Sequence, residues 1–198
     1  DDWTAEREQV RALLDDTAWA QAQRTILNAH YTDPAIAAAM WKATIRAGFT
    51  GGRVLEPGCG SGTFIAHAPT SAQMVGVELD ATTAATAAAW NRAAQIRGEG
   101  LERPTAPASS FTAAIGNVPF GDYRLYDPVH NQAKHSIHNH FIVKSLAMTA
   151  PGGYVTVLTS RYTLDAQNQR ARRDIAALGD LVGAVRLPST AFRRVAGT

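Results

Sequence analysis

Apolar and polar positions along the chain alternate between short apolar runs and longer stretches of helical spacing. Trp3 to Leu27 carries Val10, Leu13, Leu14, Ile26 and Leu27 with no glycine or proline between them, which predicts one helix that covers the sheet or a ligand. Asp33-Pro34 supplies an N-cap and a proline at the first helical position, and Ile36, Met40, Trp41 and Ile45 then recur at helical spacing until Gly48. Val54-Leu55, Met74 to Asp80 and Phe111 to Ile115 read as short strands, with a weaker one at Gln95 to Arg97. Helices are expected over Thr63 to Ala68 and Asp80 to Asn91. A further helix, capped by Ser136, has the stripe Ile137, Phe141, Ile142, Ser145 and Leu146 and is ended by Gly152-Gly153. Tyr154 to Leu158 follows as a strand, Asp165 to Leu178 as an arginine-bearing helix and Leu181 to Leu187 as a last strand. Gly98 to Ser110 and Gly121 to Asn131 lack periodicity and read as loops. Strands alternating with helices predict an α/β fold, a mostly parallel sheet with helices on both faces.

Three motifs stand at the ends of predicted strands. Glu56-Pro57-Gly58-Cys59-Gly60-Ser61-Gly62 follows the first, and its alternate glycines form a turn where a ligand can approach the backbone. Glu78-Leu79-Asp80 ends the second, where a carboxylate commonly holds ribose hydroxyls. Asn117-Val118-Pro119-Phe120 follows the Phe111 to Ile115 run, so all three fall on the ligand-binding edge of an open sheet.

In order and spacing these motifs resemble the class I S-adenosylmethionine-dependent methyltransferases, in particular the amino-methyltransferases that act on exocyclic nitrogens of nucleic-acid bases. The family's glycine signature matches Glu56 to Gly62, its ribose acid matches Glu78, and its Asn-Pro-Pro-Phe/Tyr tetrapeptide matches Asn117 to Phe120 with Val118 in place of the first proline. Asn28 to Pro34, with Tyr31 and Thr32, is similar to the segment that closes over the methionine end of the cofactor. More narrowly, Gly116 to His140 is similar to the methyltransferase segment of large bacterial mobile-element proteins that join such a domain to a helicase.

The resemblance implies a Rossmann-like class I methyltransferase fold, S-adenosyl-L-methionine as cofactor, and DNA as substrate. It implies residues 1–33 as a helical cover and cofactor lid and 34–198 as the catalytic domain. Cofactor contacts would come from Tyr31, Thr32, Glu56, Pro57, Gly58, Cys59, Gly60, Ser61, Gly62, Glu78, Leu79, Leu101, Glu102 and Asn117. Glu56 would orient the methionine amino group and Glu78 the ribose, while Leu101 and Glu102 would meet the adenine. Phe120, Tyr123, Lys134 and Arg161 would face the substrate. The family's seventh strand pairs with its sixth, and no candidate for it follows Leu187. With Asp1 in first place and no terminating element before Thr198, this predicts a segment of a longer protein, whose helicase or target-recognition region lies elsewhere.

The tetrapeptide has a chemical rationale. An amine conjugated to a base has its lone pair tied up in the ring, and acceptors at both hydrogens free it. The Asn117 side-chain oxygen and the Val118 main-chain carbonyl would be those acceptors, so valine keeps the atom used while losing proline's rigidity. Phe120 would stack on the flipped base, and no metal or general base is needed. The competing readings are a proline-set turn with Phe120 in the core, a Rossmann dinucleotide site whose third glycine would fall at Thr63, and a Glu78 that only caps the next helix. A binding module without catalysis is a further alternative. Adenine N6 in DNA is the implied target, with cytosine N4, guanine N2 in RNA and a protein glutamine amide using similar tetrapeptides.

Charge sharpens the substrate class. Residues 1–100 hold 8 Lys and Arg against 11 Asp and Glu, and residues 101–198 hold 11 against 6, so a basic half follows an acidic one. A nucleic acid needs such a basic margin, although a solvated helix face looks the same. His130, His135, His138 and His140 invite a zinc site, but spacing of two on a helix points rings to different faces, and capping or phosphate contact fits them better. Cys59, the lone cysteine, reads as a packing residue and excludes an intramolecular disulfide. With no apolar run of membrane-spanning length and no signal peptide, a cytoplasmic protein is expected.

Overall fold

The structure, a computed structural model, describes residues 3–20, 23, 32–103, 106–188 and 191. Five parallel strands form one sheet in the order β3-β2-β1-β4-β5. They are β1 (Gly52–Pro57), β2 (Ala72–Glu78), β3 (Gln95–Gly98), β4 (Phe111–Asn117) and β5 (Thr149–Leu158). Successive side chains on a strand point to opposite faces, and here both faces are covered. Val54, Met74, Ala113 and Ile115 pack with Trp41 and Phe64 on one side, whereas Leu55, Val75, Val77 and Ala114 pack with Ile137, Phe141 and Met148 on the other.

Helix α1 (Thr4–Leu13) buries none of its residues, so it does not cover the sheet as expected. The single helix predicted from Trp3 to Leu27 also breaks. Leu14 is extended, and the Asp15 carboxylate accepts the Ala18 N–H at 2.8 Å to start a new helical turn at 16–20. Aspartate favours that cap over a place inside a helix. Helix α2 (Pro34–Ala47) starts as predicted, with the Asp33 side chain accepting the Ala35 N–H at 2.8 Å. The Trp41 indole N–H donates to the Phe64 carbonyl at 2.8 Å and ties α2 to the one-turn helix α3 (Thr63–Ala66) behind the glycine turn.

Helix α4 (Ala81–Trp90) returns the chain to β3, and α5 (Ile137–Met148) lies between β4 and β5. β5 begins immediately after α5 rather than at Tyr154, because Pro151 forbids helix and residues 150–153 form a register irregularity opposite Phe111 to Ala113. After a separate one-turn helix α6 (Tyr162–Asp165), the arginine-bearing helix expected from Asp165 starts only at Arg170, as α7 (Arg170–Ala176); Asn168 precedes α7, its side chain accepting the Arg170 N–H at 2.9 Å. Leu181 to Leu187 is not a strand. It is irregular, with Leu181, Val182 and Val185 exposed, and Arg186 pairs with Asp165. Without a neighbouring strand to share its hydrogen bonds, an apolar run cannot hold a ladder. Among the described residues no helix is long and apolar enough to cross a membrane.

Candidate active site

From β1 the chain adds β2 and β3 on one side, then crosses to β4 and β5 on the other. The carboxyl ends of β1 and β4 therefore flank the point where strand order reverses, the place where open α/β sheets bind ligands.

Gly58, Gly60 and Gly62 follow β1 with φ of 69°, 53° and 89°. Residues with a Cβ pay heavily for such left-handed angles, so backbone geometry is what demands glycine here. A methyl group at Gly60 would meet no atom within 4 Å, leaving that side of the turn open to a ligand. The turn is held by its own backbone, Cys59 N–H to Val77 O and Gly62 N–H to Cys59 O, both at 2.9 Å. Cys59 is buried in the core, and burial pushes its thiol far above the usual range, which leaves it an inert packing residue.

Two acids flank this turn. One oxygen of the Glu78 carboxylate accepts the Gly60 N–H and the other the Asp80 N–H, each at 2.9 Å. Capping of α4 belongs instead to Asp80, whose carboxylate accepts both the Thr83 N–H and hydroxyl at 2.8 Å. Each Glu78 oxygen retains a second lone pair for a ligand hydroxyl. Glu56 is only 2% exposed, and its Oε2 is buried with no hydrogen-bond partner. Burial drives its carboxyl well above the ordinary range. The backbone N–H groups of Ile65 and Phe64 oppose that rise, and the nearby Glu78 charge adds to it.

The tetrapeptide lies directly against these residues. Asn117 is the last residue of β4 and pairs in register with Leu158, and Val118 donates its N–H to the Leu158 carbonyl at 3.1 Å. A methyl at Gly116 would stand 3.4 Å from the Glu56 side chain, and one at Gly58 would stand 3.6 Å from the Pro119 ring and 3.5 Å from Phe141. Residues 56–58 and 116–119 thus run side by side, with room for glycine but little more between them. Phe120 is half-buried against the second core cluster.

Of the remaining predicted contacts, Thr32 is buried beside the start of α2, and Tyr31 lies outside the described residues. Pro57 is buried and Ser61 half-buried. Leu79 is exposed next to Glu78, Leu101 is buried in the second core cluster and Glu102 is half-buried in the turn after β3. Tyr123 and Lys134 are exposed on the loop after β4. Arg161 is exposed after β5, its guanidinium 5.0 Å from the Tyr162 ring centre. These three stand on the same sheet edge as the turn, on loops around it.

Comparison with known proteins agrees with this layout. No protein-family model matches the chain. Over 202 residues it is 24% identical to "Defense against restriction protein B" of Escherichia phage P1, an alignment that covers 92% of this chain and 9% of that protein. The chain thus spans less than a tenth of the curated relative it matches. Among solved structures it superposes on the methyltransferase subunit of a type I restriction-modification system from Streptococcus thermophilus. The TM-score is 0.60 at 15% identity, over 76% of this chain and 38% of that one. A protein from Listeria monocytogenes assigned to the class I S-adenosylmethionine-dependent methyltransferases gives 0.52 at 21% identity, over 73% and 48%.

The fold is that of the class I methyltransferases. The [4+2]-cyclase SpnF shares it, with a TM-score of 0.53 at 18% identity over 74% of this chain and 56% of that one. A class I methyltransferase fold therefore hosts more than one chemistry, and function must be argued from the residues.

One cluster was not foreseen. Asp127, in the loop after the tetrapeptide, is buried and accepts from the Lys144 ammonium at 2.8 Å and pairs with His140 Nε2 at 3.1 Å. Lys144, also buried, donates to the Arg103 carbonyl at 3.0 Å as well. Burial opposes the Asp127 charge, but hydrogen bonds from Lys144, the His130 backbone and His140, with the Lys144 charge, hold its carboxyl well below the usual range. Burial lowers His130, His138 and His140. The histidines are structural: His135 pairs with Asp174 at 2.8 Å and His138 with Ser136 at 3.1 Å. The burial of His135, His138 and His140 rules out the phosphate contact expected of them. No three His, Cys, Asp or Glu side chains among the described residues are grouped to hold a metal.

Proposed function

We propose that this chain is an S-adenosylmethionine-dependent methyltransferase acting on the exocyclic amine of a flipped-out base, N6 of adenine in DNA. The observation that carries the reading is the adjacency of the two motifs at the switch point of the sheet, where a methyl group at Gly58 would meet the Pro119 ring and one at Gly116, just before the tetrapeptide, the Glu56 side chain. A donor and an acceptor of a methyl group must meet in line, and this is the one edge where both motifs lie side by side.

The residues fit the cofactor. The unpartnered Oε2 of Glu56 suits an ammonium group, which would supply both the missing hydrogen bond and the countercharge. The open side of Gly60 leaves room along the backbone, and the free lone pairs of Glu78 suit a ribose diol. When bound, S-adenosylmethionine supplies an electrophilic methyl group on a sulfonium sulfur. Asn117 and the Val118 carbonyl would accept hydrogen bonds from the two N–H groups of the target amine, which turns its lone pair out of conjugation and towards the donor; the proton that the methylated nitrogen must shed would leave along one of these hydrogen bonds to solvent. Val118, fixed by its own N–H to Leu158 and buried beneath the turn, holds that carbonyl without the proline of the family pattern. Phe120 stacks on the base, and the core behind it keeps water from the reacting atoms.

A DNA substrate is supported by the basic carboxyl-terminal half and by the restriction-linked names of the phage P1 and Streptococcus proteins. We assign target recognition, and any helicase, to other parts of a longer chain, in keeping with the length of the phage relative. Incubation with labelled cofactor and single- or double-stranded DNA, followed by mass spectrometry of the nucleosides, tests this. N6-methyldeoxyadenosine from the wild type and none from Asn117→Ala is expected. Tight cofactor binding with no methylated nucleoside from DNA or RNA would leave only a binding module.

A further inference from the structure

The loop from Gly121 to Ser136 has an interior and an exterior of opposite character. Inside, each oxygen of Asp127 is engaged: Oδ2 by Lys144 and His140, and Oδ1 by the Val129 and His130 N–H groups at 3.0 Å. Buried Asn131 donates to the Leu125 carbonyl at 2.9 Å and the His135 carbonyl at 3.3 Å, and accepts the His135 N–H at 2.8 Å. The loop is closed at its base by Ile137 N–H to Tyr123 O at 2.9 Å, and pinned to α7 by His135 and Asp174. Such a network of buried hydrogen bonds holds the loop backbone in one conformation, although His130 Nδ1 and His140 Nδ1 make none. Outside, the residues flanking Asp127 are turned into water, Tyr126 86% exposed and Val129 69% exposed.

We propose that this loop is a preformed contact element for a nucleic-acid strand, with Tyr126 as its base-stacking group. The proposal rests on the nucleic-acid reading above. The loop follows Phe120 directly, so its base adjoins the place assigned to the target base, and Asp127 anchors it along α5 through His140 and Lys144. Lys144 neutralises Asp127 from within, which leaves Arg124 and Lys134 as the exposed cations of the loop against Asp122, with Arg161, Arg170 and Arg173 on the neighbouring segments. Aromatic rings set among cations are the platform on which single strands stack while their phosphates are neutralised. A loop backbone already held in place loses little freedom on binding, which is what the buried hydrogen bonds provide.

Fluorescence anisotropy with labelled single-stranded DNA, RNA and duplex of mixed sequence, over a salt series, tests this on the full chain. Tyr126→Ala should weaken single-strand binding by about 5- to 150-fold. The slope against salt should not change, because no phosphate contact is lost. Tyr126→Trp should bind like the wild type, and all three proteins should take up sinefungin equally. Arg124→Ala, by contrast, should flatten the salt slope. Unchanged binding by Tyr126→Ala, or equal losses in the alanine and tryptophan variants, would overturn the proposal. So would a wild-type dimer that Tyr126→Ala converts to monomer, which would make the tip a protein interface. If the wild type binds sinefungin but no nucleic acid, the loop proposal falls with the choice of substrate while the methyl-donor site stands. If it binds nucleic acid without transferring methyl, the Tyr126 comparison still decides the proposal.

Discussion

Glu56→Gln is the substitution whose effects are most at odds with intuition. Glu56 is 2% exposed, one of its oxygens has no partner, and burial raises its carboxyl well above 4.5. A group whose folded-state value is raised contributes stability that is fully present below its unfolded value and is lost as pH rises through the folded one. Wild type should therefore lose stability relative to Glu56→Gln as pH rises above about 4.5 and through the raised folded value, by about 1–3 kcal/mol, the cost of a buried unsatisfied polar group. For a chain of this length that is a difference in Tm of about 2–12 °C. Cofactor binding should run the other way. Sinefungin, whose ammonium would complete the Glu56 site, should bind the wild type more tightly as pH rises, and the variant about 10- to 150-fold more weakly with no such dependence, as befits one charge-assisted bond. Thermal melts of the free proteins across pH, paired with calorimetric titrations, measure both. The histidines and other acids titrate in both proteins and cancel in the difference. Parallel Tm profiles for the two proteins, or equal sinefungin affinities, would refute the reasoning.

Asn117→Ala should lower kcat about 100- to 1000-fold, the scale of losing one preorganised polar partner in a transition state, with S-adenosylmethionine affinity unchanged; single-turnover assays read the first and titration the second. Glu78→Ala removes a carboxylate that also anchors the Gly60 N–H, so it should weaken sinefungin about 10- to 100-fold, and unchanged affinity would remove it from the site. Trp41→Phe deletes the indole bond to the Phe64 carbonyl and should cost about 0.5–1.5 kcal/mol in urea unfolding, the net worth of one hydrogen bond, because that carbonyl keeps the His67 N–H. His130, His138 and His140 are lowered by burial, so their contribution is present above about pH 6.5 and is lost as pH falls through their folded values. Acid melts should therefore begin earlier than carboxylate titration alone dictates, and His140→Asn should delay that onset.

The strands that build the site were legible because strands covered on both faces carry apolar residues at successive positions. Val54-Leu55 and Met74 to Val77 have no polar side to confuse the reading. The glycine turn and Asn117 to Phe120 were legible because special backbone angles and special chemistry restrict residue choice. The break at Asp15 was not, since an aspartate inside an amphipathic stretch looks like a solvated position until its cap is seen. Nor was the failure of Leu181 to Leu187 to form a strand, because alternation records propensity while a ladder needs a neighbour. The Asp127, His140 and Lys144 cluster joins a loop without periodicity to a helix, and a single lysine carries no mark of a buried ion pair. Its one available signal was position, on the same helix face as the buried stripe at Ile137 and Phe141. The second duty of Glu78, holding Gly60, was equally invisible, because a hydrogen bond to a backbone N–H leaves no trace in residue choice beyond the acid itself.

The central claim is that the glycine turn and the tetrapeptide serve one site. The most direct measurement is a crystal structure with sinefungin, whose amine replaces the transferable methyl group. The account predicts that amine within hydrogen-bond reach, about 3 Å, of the Asn117 side chain or the Val118 carbonyl, with the ligand's ammonium on Glu56 and its ribose on Glu78. A ligand seated elsewhere, or one whose amine points away from Asn117, would contradict it.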